Sequence, residues 1–319
     1  MSPSLRIASL LSSATEMLYL LGLGDQVVAV SHECDFPPQV ARKPRATFSN
    51  VDSRLASAAI DAQVKSLLAQ QRPLYNIDRQ LLRQAHPDLL ITQSQCDVCA
   101  VKYTDVCDFV AAEPSLQHTR ILSLNPNSIA DVLNDLLRIA EATNTLPLGE
   151  RIVADCQSRV AAIRSRTQAM PESQRPRVVC IEWVEPLMIG ANWTPELLEW
   201  AGGKGGLAVP GQHSNYVTWE ELQQFDPEVI VVAPCGFGLS RTLQEAERLL
   251  SHPTWQRLSA VRGGRVFALD GNAYLNRSGP RLVESLEFLA HFLHPNWFGL
   301  PRSLANAAND FRQLPTRAV

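Results

Sequence analysis

Short apolar runs alternate with longer amphipathic stretches along most of the chain. The apolar residues 6–11 lead into a small polar turn and then into an apolar segment that stops at Gly24. A strand-like run, a Ser/Thr turn, a helical pattern and a glycine stop together predict a strand–helix unit. Residues 177–203 follow the same plan, so the pattern predicts a second unit of similar design.

Each predicted unit is followed later by a second matched element. His86, Pro87 and Asp88 precede a leucine-rich run, and Asp226, Pro227 and Glu228 precede a run of β-branched residues. Short apolar strands that alternate with helices are typical of parallel sheets covered on both faces. We therefore predict an α/β fold with two Rossmann-like lobes whose sheets are mostly parallel.

Helical patterns occupy the middle of the chain. Ser128 is a candidate cap for a first helix, and a second helical pattern begins after Pro147, with apolar residues spaced by three and four. We predict an N-terminal lobe over 1–126, linking helices over 127–172, a C-terminal lobe over 173–298 and a polar, loosely held tail over 299–319.

The composition of the chain argues against several classes of function. The 319 residues carry a net charge of −3 without a basic block, which argues against a nucleic-acid binder. No apolar stretch is long enough to span a membrane, and the N-terminus lacks the pattern of a signal peptide. We therefore expect either a cytoplasmic protein or a chain from which a leader has been removed, and the first is our prediction. Motifs of serine hydrolases, zinc proteases and P-loop enzymes are missing, which favours a binding protein over an enzyme.

The loops that follow the predicted strands hold much of the unusual chemistry. Ligands of open parallel sheets bind beyond the carboxyl ends of the strands, and aromatic side chains there suit a flat, partly apolar ligand. Burial in the core is the alternative for any single aromatic residue. The candidate ligand-binding residues are Ser12, Ser13, Thr15, Glu16, His32, Glu33, Glu182, Trp183, Trp193, Phe237, Asn272, Tyr274 and Asn276.

The seven cysteines suggest a second hypothesis, because four of them fall in these loops. Cys96 and Cys99 have a spacing seen in zinc and iron–sulfur sites, and Cys34 and Cys235 would complete a four-thiolate set. The alternative function is thus a cytoplasmic metalloprotein that binds zinc or an iron–sulfur cluster. Ordinary buried thiols and a redox Cys-x-x-Cys pair remain open for Cys96 and Cys99.

Four loop motifs carry a resemblance to a known family. They are His-Glu-Cys-Asp at 32–35, Gln-Cys-Asp-Val-Cys-Ala at 95–100, Ala-Pro-Cys-Gly-Phe at 233–237 and Asp-Gly-Asn-Ala-Tyr at 270–274. With the matched strands, they resemble class III periplasmic substrate-binding proteins of the vitamin B12 and iron-siderophore type, in their cobalamin-binding branch. The resemblance implies two lobes joined by a long backbone helix, with the ligand in a cleft between them. It further implies a corrinoid or related metal chelate as ligand and an ABC transporter permease as partner.

Overall fold

The computed structural model describes residues 5–95, 98, 100–300 and 310–315. Its contacts group into two compact units. The first comprises Met1–Leu55, Ala59–Pro126 and Ala130–Val153, and the second comprises Ala56–Ala58, Asn127–Ile129 and Ala154–Val319. One continuous helix crosses the boundary at Val153, as the resemblance to helical-backbone proteins implies. None of the helices in the described ranges has the length and apolar character needed to cross a membrane.

The first unit is built around a four-stranded parallel sheet with the strand order β2-β1-β5-β6, beside a two-stranded antiparallel pair of β3 and β4. Its elements follow one another as β1 (Ile7–Ser9), α1 (Ser12–Leu20), β2 (Val27–Val30), β3 (Thr47–Ser49), α2 (Ser57–Ala69), β4 (Tyr75–Ile77), α3 (Arg79–Ala85), β5 (Leu89–Gln93), α4 (Tyr103–Ala112), β6 (Arg120–Leu124) and α5 (Ile129–Ala142). Helix α6 (Leu146–Gln168) continues into the second unit.

The second unit contains a six-stranded sheet with the order β12-β11-β10-β7-β8-β9. Its elements are β7 (Val178–Trp183), β8 (Met188–Ile189), α7 (Thr194–Trp200), β9 (Asn215–Tyr216), α8 (Trp219–Phe225), β10 (Val229–Val232), α9 (Leu239–Leu250), α10 (Ser259–Arg262), β11 (Val266–Leu269), α11 (Leu282–Leu293) and β12 (Phe311–Gln313). The three central strands β7, β10 and β11 are parallel, and the outer strands are antiparallel. The predicted α/β fold is confirmed, with a first sheet that is parallel throughout and a second sheet that is parallel at its centre.

The apolar runs of the sequence form the strands at the buried centre of both sheets. Every residue of β5 and of β10 is buried, as expected for central parallel strands covered by helices on both sides. In the first unit Leu90 packs with Phe109 and Leu116, and in the second Ile230 packs with a cluster that includes Trp255. The apolar positions that identified the strands are therefore the positions that build the two cores.

The matched Pro–acid elements form the same joint in each unit. His86 ends α3 and Asp226 ends α8, and each adopts a left-handed backbone conformation, with φ of 40° and 45°. The acidic residue two positions later then accepts a hydrogen bond from the start of the neighbouring strand. Asp88 accepts a hydrogen bond from the backbone N–H of Arg6 at 2.8 Å, and Glu228 accepts one from that of Arg177 at 3.0 Å.

The arginines of this joint complete it in the same way. The Nε of Arg6 donates to the carbonyl of Ala85, and the Nε of Arg177 donates to the carbonyl of Phe225. The repeat visible in the sequence is thus a repeated hydrogen-bonded joint between a helix end and the start of a strand.

The polar C-terminal segment contains a strand that its composition did not predict. Phe311–Gln313 pairs with β11 in antiparallel orientation and forms one edge of the second sheet. The Phe311 ring packs 5.6 Å from that of Phe288 and 5.1 Å from that of Phe292. Phe311 and the buried Leu314 therefore anchor a stretch that is otherwise polar.

Candidate functional site

The carboxyl ends of the parallel strands set the candidate site in each unit. In the first unit they lead into the start of α1 and into the loop after β2. In the second unit they comprise or lead into residues 182–193 at the end of β7 and beyond it, 233–238 after β10 and 270–276 after β11, which together we call the second-unit edge. Ligands of open parallel sheets bind at such ends.

The predicted polar group at the start of α1 is largely turned inward. Ser13, Thr15 and Glu16 are buried, while Ser12 is half-buried. The Thr15 hydroxyl donates to Ser9 Oγ at 2.8 Å and lies 3.1 Å from the Cys34 thiol. These contacts join the start of α1 to the loop after β2.

Thr47 holds the loop that carries His32 and Glu33. Its hydroxyl lies 2.7 Å from His32 Nδ1, accepts a hydrogen bond from the His32 backbone N–H at 3.0 Å, and donates to Ser31 Oγ at 3.1 Å. The Nε2 of His32 lies 3.2 Å from a Glu33 carboxylate oxygen, without hydrogen-bond geometry. His32 and Glu33 are thus in close contact, and a role in ligand binding stays a prediction for both.

The four cysteines of the metal hypothesis have different surroundings. Cys34 is buried beside Thr15, whereas Cys235 is exposed after β10. Cys96 and Cys99 lie outside the described residues. In the part of the chain that the structure describes, no three His, Cys, Asp or Glu side chains are arranged to hold a metal ion. Zinc or iron–sulfur binding remains a prediction from the cysteine spacing.

Trp183 and Phe237 form an aromatic pair at the second-unit edge. Their ring centroids are 5.1 Å apart, and the guanidinium of Arg241 lies 5.0 Å from the centre of the Phe237 ring. Phe237 is buried and Trp183 is half-buried, with its indole N–H donating to the carbonyl of Glu185 at 3.1 Å. The pair combines an apolar face with one fixed polar end, which suits a flat ligand.

Glu182 is held in place at the end of β7 by a chain of hydrogen bonds. The backbone N–H of Ala191 donates to Ser214 Oγ at 3.1 Å, and that hydroxyl donates to Glu182 Oε2 at 2.9 Å. The carboxylate lies over Gly190, where an added Cβ would come within 3.1 Å of the same oxygen. Gly190 therefore leaves the space that this carboxylate occupies.

The loop after β11 is a compact structure that holds the second-unit edge together. Asp270 accepts a hydrogen bond from the backbone N–H of Ala273 at 2.8 Å, and burial raises the pKa of its carboxyl. The side-chain amide of Asn276 donates to the carbonyls of Ala233 at 2.7 Å and Gly271 at 3.0 Å. Asn276 thus links the loop after β11 to the end of β10.

Three further predicted ligand-binding residues have internal partners. The Tyr274 hydroxyl donates to Asp310 at 3.0 Å, and burial is the main cause that raises the pKa of this phenol. Trp193 is buried and donates its indole N–H to the carbonyl of Leu275. Asn272 accepts from the buried Arg277 at 2.8 Å. Ligand contact by these residues stays a prediction.

Several residues that organise these loops were missed by sequence reasoning. Each contacts a side chain at a different distance along the chain: Ser214 lies 32 residues from Glu182, Thr47 lies 16 residues from Ser31, and Arg241 lies 4 residues from Phe237. Ser214 and Thr47 lie in segments that no pattern marked as functional. Arg241 had a usable signal, because it lies in the first turn of a helix that begins directly after the Cys-Gly-Phe motif.

Comparisons with known proteins give a consistent result for the whole chain. A family model described as periplasmic binding protein matches residues 7–273. An uncharacterised ABC transporter substrate-binding lipoprotein from Bacillus subtilis is 23% identical, over 92% of this chain and 81% of the relative. A vitamin B12-binding protein from Vibrio cholerae is 25% identical, over 91% of this chain and 90% of the relative.

Solved structures agree on the fold. A periplasmic heme-binding protein from Roseiflexus sp. RS-1, solved in its apo form, superposes with a TM-score of 0.68 at 21% identity. The match covers 92% of this chain and 98% of that protein.

These matches contradict the cytoplasmic location expected from the sequence. The matching family is periplasmic, and one of the relatives is a lipoprotein. The expectation rested on the start of the sequence alone, which does not fix the compartment.

Proposed function

Because this chain belongs to the periplasmic binding protein family, we propose that it captures a corrinoid, or a related metal chelate, and delivers it to an ABC transporter permease. Relatives that align over about nine-tenths of the chain are vitamin B12-binding proteins. A heme-binding protein shares the fold. Corrins and porphyrins are both large, flat macrocycles around a metal ion, so the choice between them depends on the residues at the edge of the sheet.

The observation that carries the proposal is the Trp183–Phe237 pair at the second-unit edge. The half-buried Trp183 indole offers an apolar contact to a flat ligand at little entropic cost, and the buried Phe237 ring packs against it. Glu182 and the loop after β11 supply polar groups next to this pair. A mostly apolar surface with a few fixed polar groups is typical of small-ligand sites.

Equilibrium dialysis against cyanocobalamin and, separately, against hemin tests the proposal. We expect one cyanocobalamin bound per chain, and weaker or no uptake of hemin. Trp183→Ala should weaken corrinoid binding by about ten-fold or more, which corresponds to about 1.4 kcal/mol. Trp297→Ala is the matched control, because Trp297 is an exposed indole in the same unit and outside the second-unit edge. Uptake of hemin alone would contradict the corrinoid assignment.

A further inference from the structure

A buried carboxylate on α9 lies at the centre of the contacts around the aromatic pair. It belongs to Glu245, of which only 4% of the surface is exposed. Its Oε1 lies 3.4 Å from the guanidinium of Arg241, and its Oε2 lies 3.3 Å from the Nε of Arg248. A carboxylate that has lost its water needs such charged and hydrogen-bonding partners, so we expect this geometry to be firmly held.

Ser57 connects Glu245 to the indole of Trp183. Ala56–Ala58 groups with the second unit, although Ser57 begins α2. The Ser57 hydroxyl donates to Glu245 Oε2 at 2.7 Å, and its backbone N–H donates to the same oxygen at 3.3 Å. The carbonyl of Ser57 accepts a hydrogen bond from the indole N–H of Trp183 at 3.3 Å. Glu245 therefore fixes a residue that holds one side of this indole.

A second chain of contacts leads from Glu245 to the same indole N–H. Arg248, which contacts Glu245, also lies 3.1 Å from the carboxylate of Glu185. The backbone carbonyl of Glu185 accepts from the Trp183 indole N–H at 3.1 Å, so this N–H is shared between two carbonyls. Both acceptors thus belong to residues that contact Glu245 directly or through Arg248.

A third contact connects Glu245 to the other ring of the pair. The guanidinium of Arg241 contacts Glu245 and lies 5.0 Å from the centre of the Phe237 ring, which packs 5.1 Å from that of Trp183. The contacts form a closed ring through Trp183, Phe237, Arg241, Glu245, Arg248 and Glu185. A side chain held on several sides before binding loses less conformational entropy when a ligand binds.

We infer that Glu245 is a positioning residue, which fixes the Trp183 indole in the orientation that contacts the macrocycle. The inference rests on the proposed function and assigns a role in it to a residue outside the strand-end loops. Because Glu245 is almost completely buried, it acts through Trp183 rather than by touching the ligand.

Fluorine NMR of the ligand-free chain labelled with fluorotryptophan tests the positioning step by itself. Loss of a resonance in Trp183→Phe identifies Trp183, and Trp297→Phe identifies the exposed Trp297 in the same way. Glu245→Gln keeps the size of the side chain but replaces one acceptor oxygen with an amide donor, so it cannot accept from partners on both sides. We expect the Trp183 resonance to shift or broaden and the Trp297 resonance to stay in place. An unchanged Trp183 resonance overturns the inference.

Equilibrium dialysis against cyanocobalamin tests the consequence for binding. Glu245→Gln should weaken binding by about five-fold in the otherwise wild-type chain. In the Trp183→Ala background it should weaken binding by less than about two-fold, because the indole through which Glu245 acts is then absent. An equal loss in both backgrounds would show a general structural effect and overturn the inference.

Two further variants control for charge and folding. Glu247→Gln removes an exposed carboxylate from the same helix and should leave both the spectrum and the affinity unchanged. Arg248→Gln breaks the link between Glu245 and Glu185 at an exposed position, and it should weaken binding by about two-fold unless Trp183 is also replaced. Thermal unfolding verifies that each variant is folded. If Glu245→Gln does not fold, Arg248→Gln provides both measurements.

The outcomes distinguish the inference from the proposed function. A wild-type chain that binds cyanocobalamin while Glu245→Gln binds it equally well overturns the role of Glu245 and leaves the proposed function standing. A wild-type chain that binds no cyanocobalamin overturns the proposed function and, with it, the role of Glu245 in ligand binding.

Discussion

Single hydroxyl groups order the loops of this protein. Thr47 gives the loop after β2 its shape, because one oxygen atom contacts both the backbone and the ring of His32 and also Ser31. Thr47 is itself buried, with 2% of its surface exposed. Water has little access to this position, so the Thr47 hydroxyl provides the hydrogen bonds that the polar groups of His32 and Ser31 need.

Thr47→Val removes that hydroxyl while nearly preserving shape. The His32 N–H then loses its partner, and we expect the free energy of unfolding to fall by about 1–3 kcal/mol. Urea unfolding followed by circular dichroism measures this change. Thr47→Ser keeps the hydroxyl and should lose clearly less stability, and an equal loss in both variants would show that the methyl group rather than the hydrogen bonds matters.

His294 provides a stability effect that depends on pH. Its Nε2 lies 3.2 Å from the carbonyl of Gly202, and burial is the main cause that lowers the pKa of this histidine. The folded state thus favours the neutral ring, and unfolding takes up a proton at acidic pH. Its contribution is present above the unfolded pKa of about 6.5 and is lost as the pH falls through the lower folded value.

We therefore expect His294→Gln to lose less stability than the wild type when the pH is lowered from about 7.5 to about 5. The melting temperature at the two pH values measures this difference. His213→Gln changes an exposed histidine and should follow the wild-type pH dependence. A His294→Gln profile parallel to that of the wild type would rule out the proposed titration.

For single residues, the sequence predicted which side chains lie at the strand ends better than it predicted what each side chain does there. Trp183 and Phe237 lie together at a strand end, as the loop positions suggested. Tyr274 lies in an equally suggestive loop and Thr15 in the first turn of α1, yet both have internal hydrogen-bond partners. The direction in which a loop side chain points depends on contacts distant in sequence, such as that between Tyr274 and Asp310, and no local pattern encodes these.

Between elements, two backbones approach each other closely at the second-unit edge. A Cβ on Gly271 would lie 2.2 Å from the carbonyl oxygen of Pro234 and 2.6 Å from the carbonyl carbon of Ala233. The ends of β10 and β11 can be this close because Gly271 has no side chain. Asn276 then hydrogen-bonds across the same contact.

Gly271→Ala should push these two loops apart. We expect a loss of about 1–3 kcal/mol in the free energy of unfolding, together with weaker ligand binding, because the Phe237 loop would shift. Chemical denaturation and equilibrium dialysis measure the two effects. Gly205→Ala is the control, since an added Cβ there meets no atom within 4 Å. Unchanged stability in Gly271→Ala would show that the loops separate without cost.

Elements with strong periodicity were predictable, and short edge strands were not. The Pro–acid signals before β5 and β10 identified both strands and the repeat, because each signal forms a physical joint with the neighbouring strand. Strands β8 and β9 contain two residues each, and β12 lies in a polar segment. Such strands are defined by their pairing with a neighbour rather than by a periodic pattern of their own.

For the whole molecule, the repeated α/β plan could be predicted from the sequence, and the cellular compartment could not. Two sheets with parallel strands at their centres, and a helix that runs from one unit into the other, match the family that the loop motifs suggested. The expected cytoplasmic location failed because it used the start of the sequence rather than the family. The fold does not determine the ligand, since relatives with this fold bind vitamin B12 or heme.

The central claim is that this chain is a binding protein for a corrinoid. Equilibrium dialysis of the purified chain against cyanocobalamin and hemin at equal concentrations tests it most directly. We expect one corrinoid per chain, with hemin unable to displace it at equimolar concentration. Binding of hemin in preference to the corrinoid, or no binding of the corrinoid at all, would contradict it.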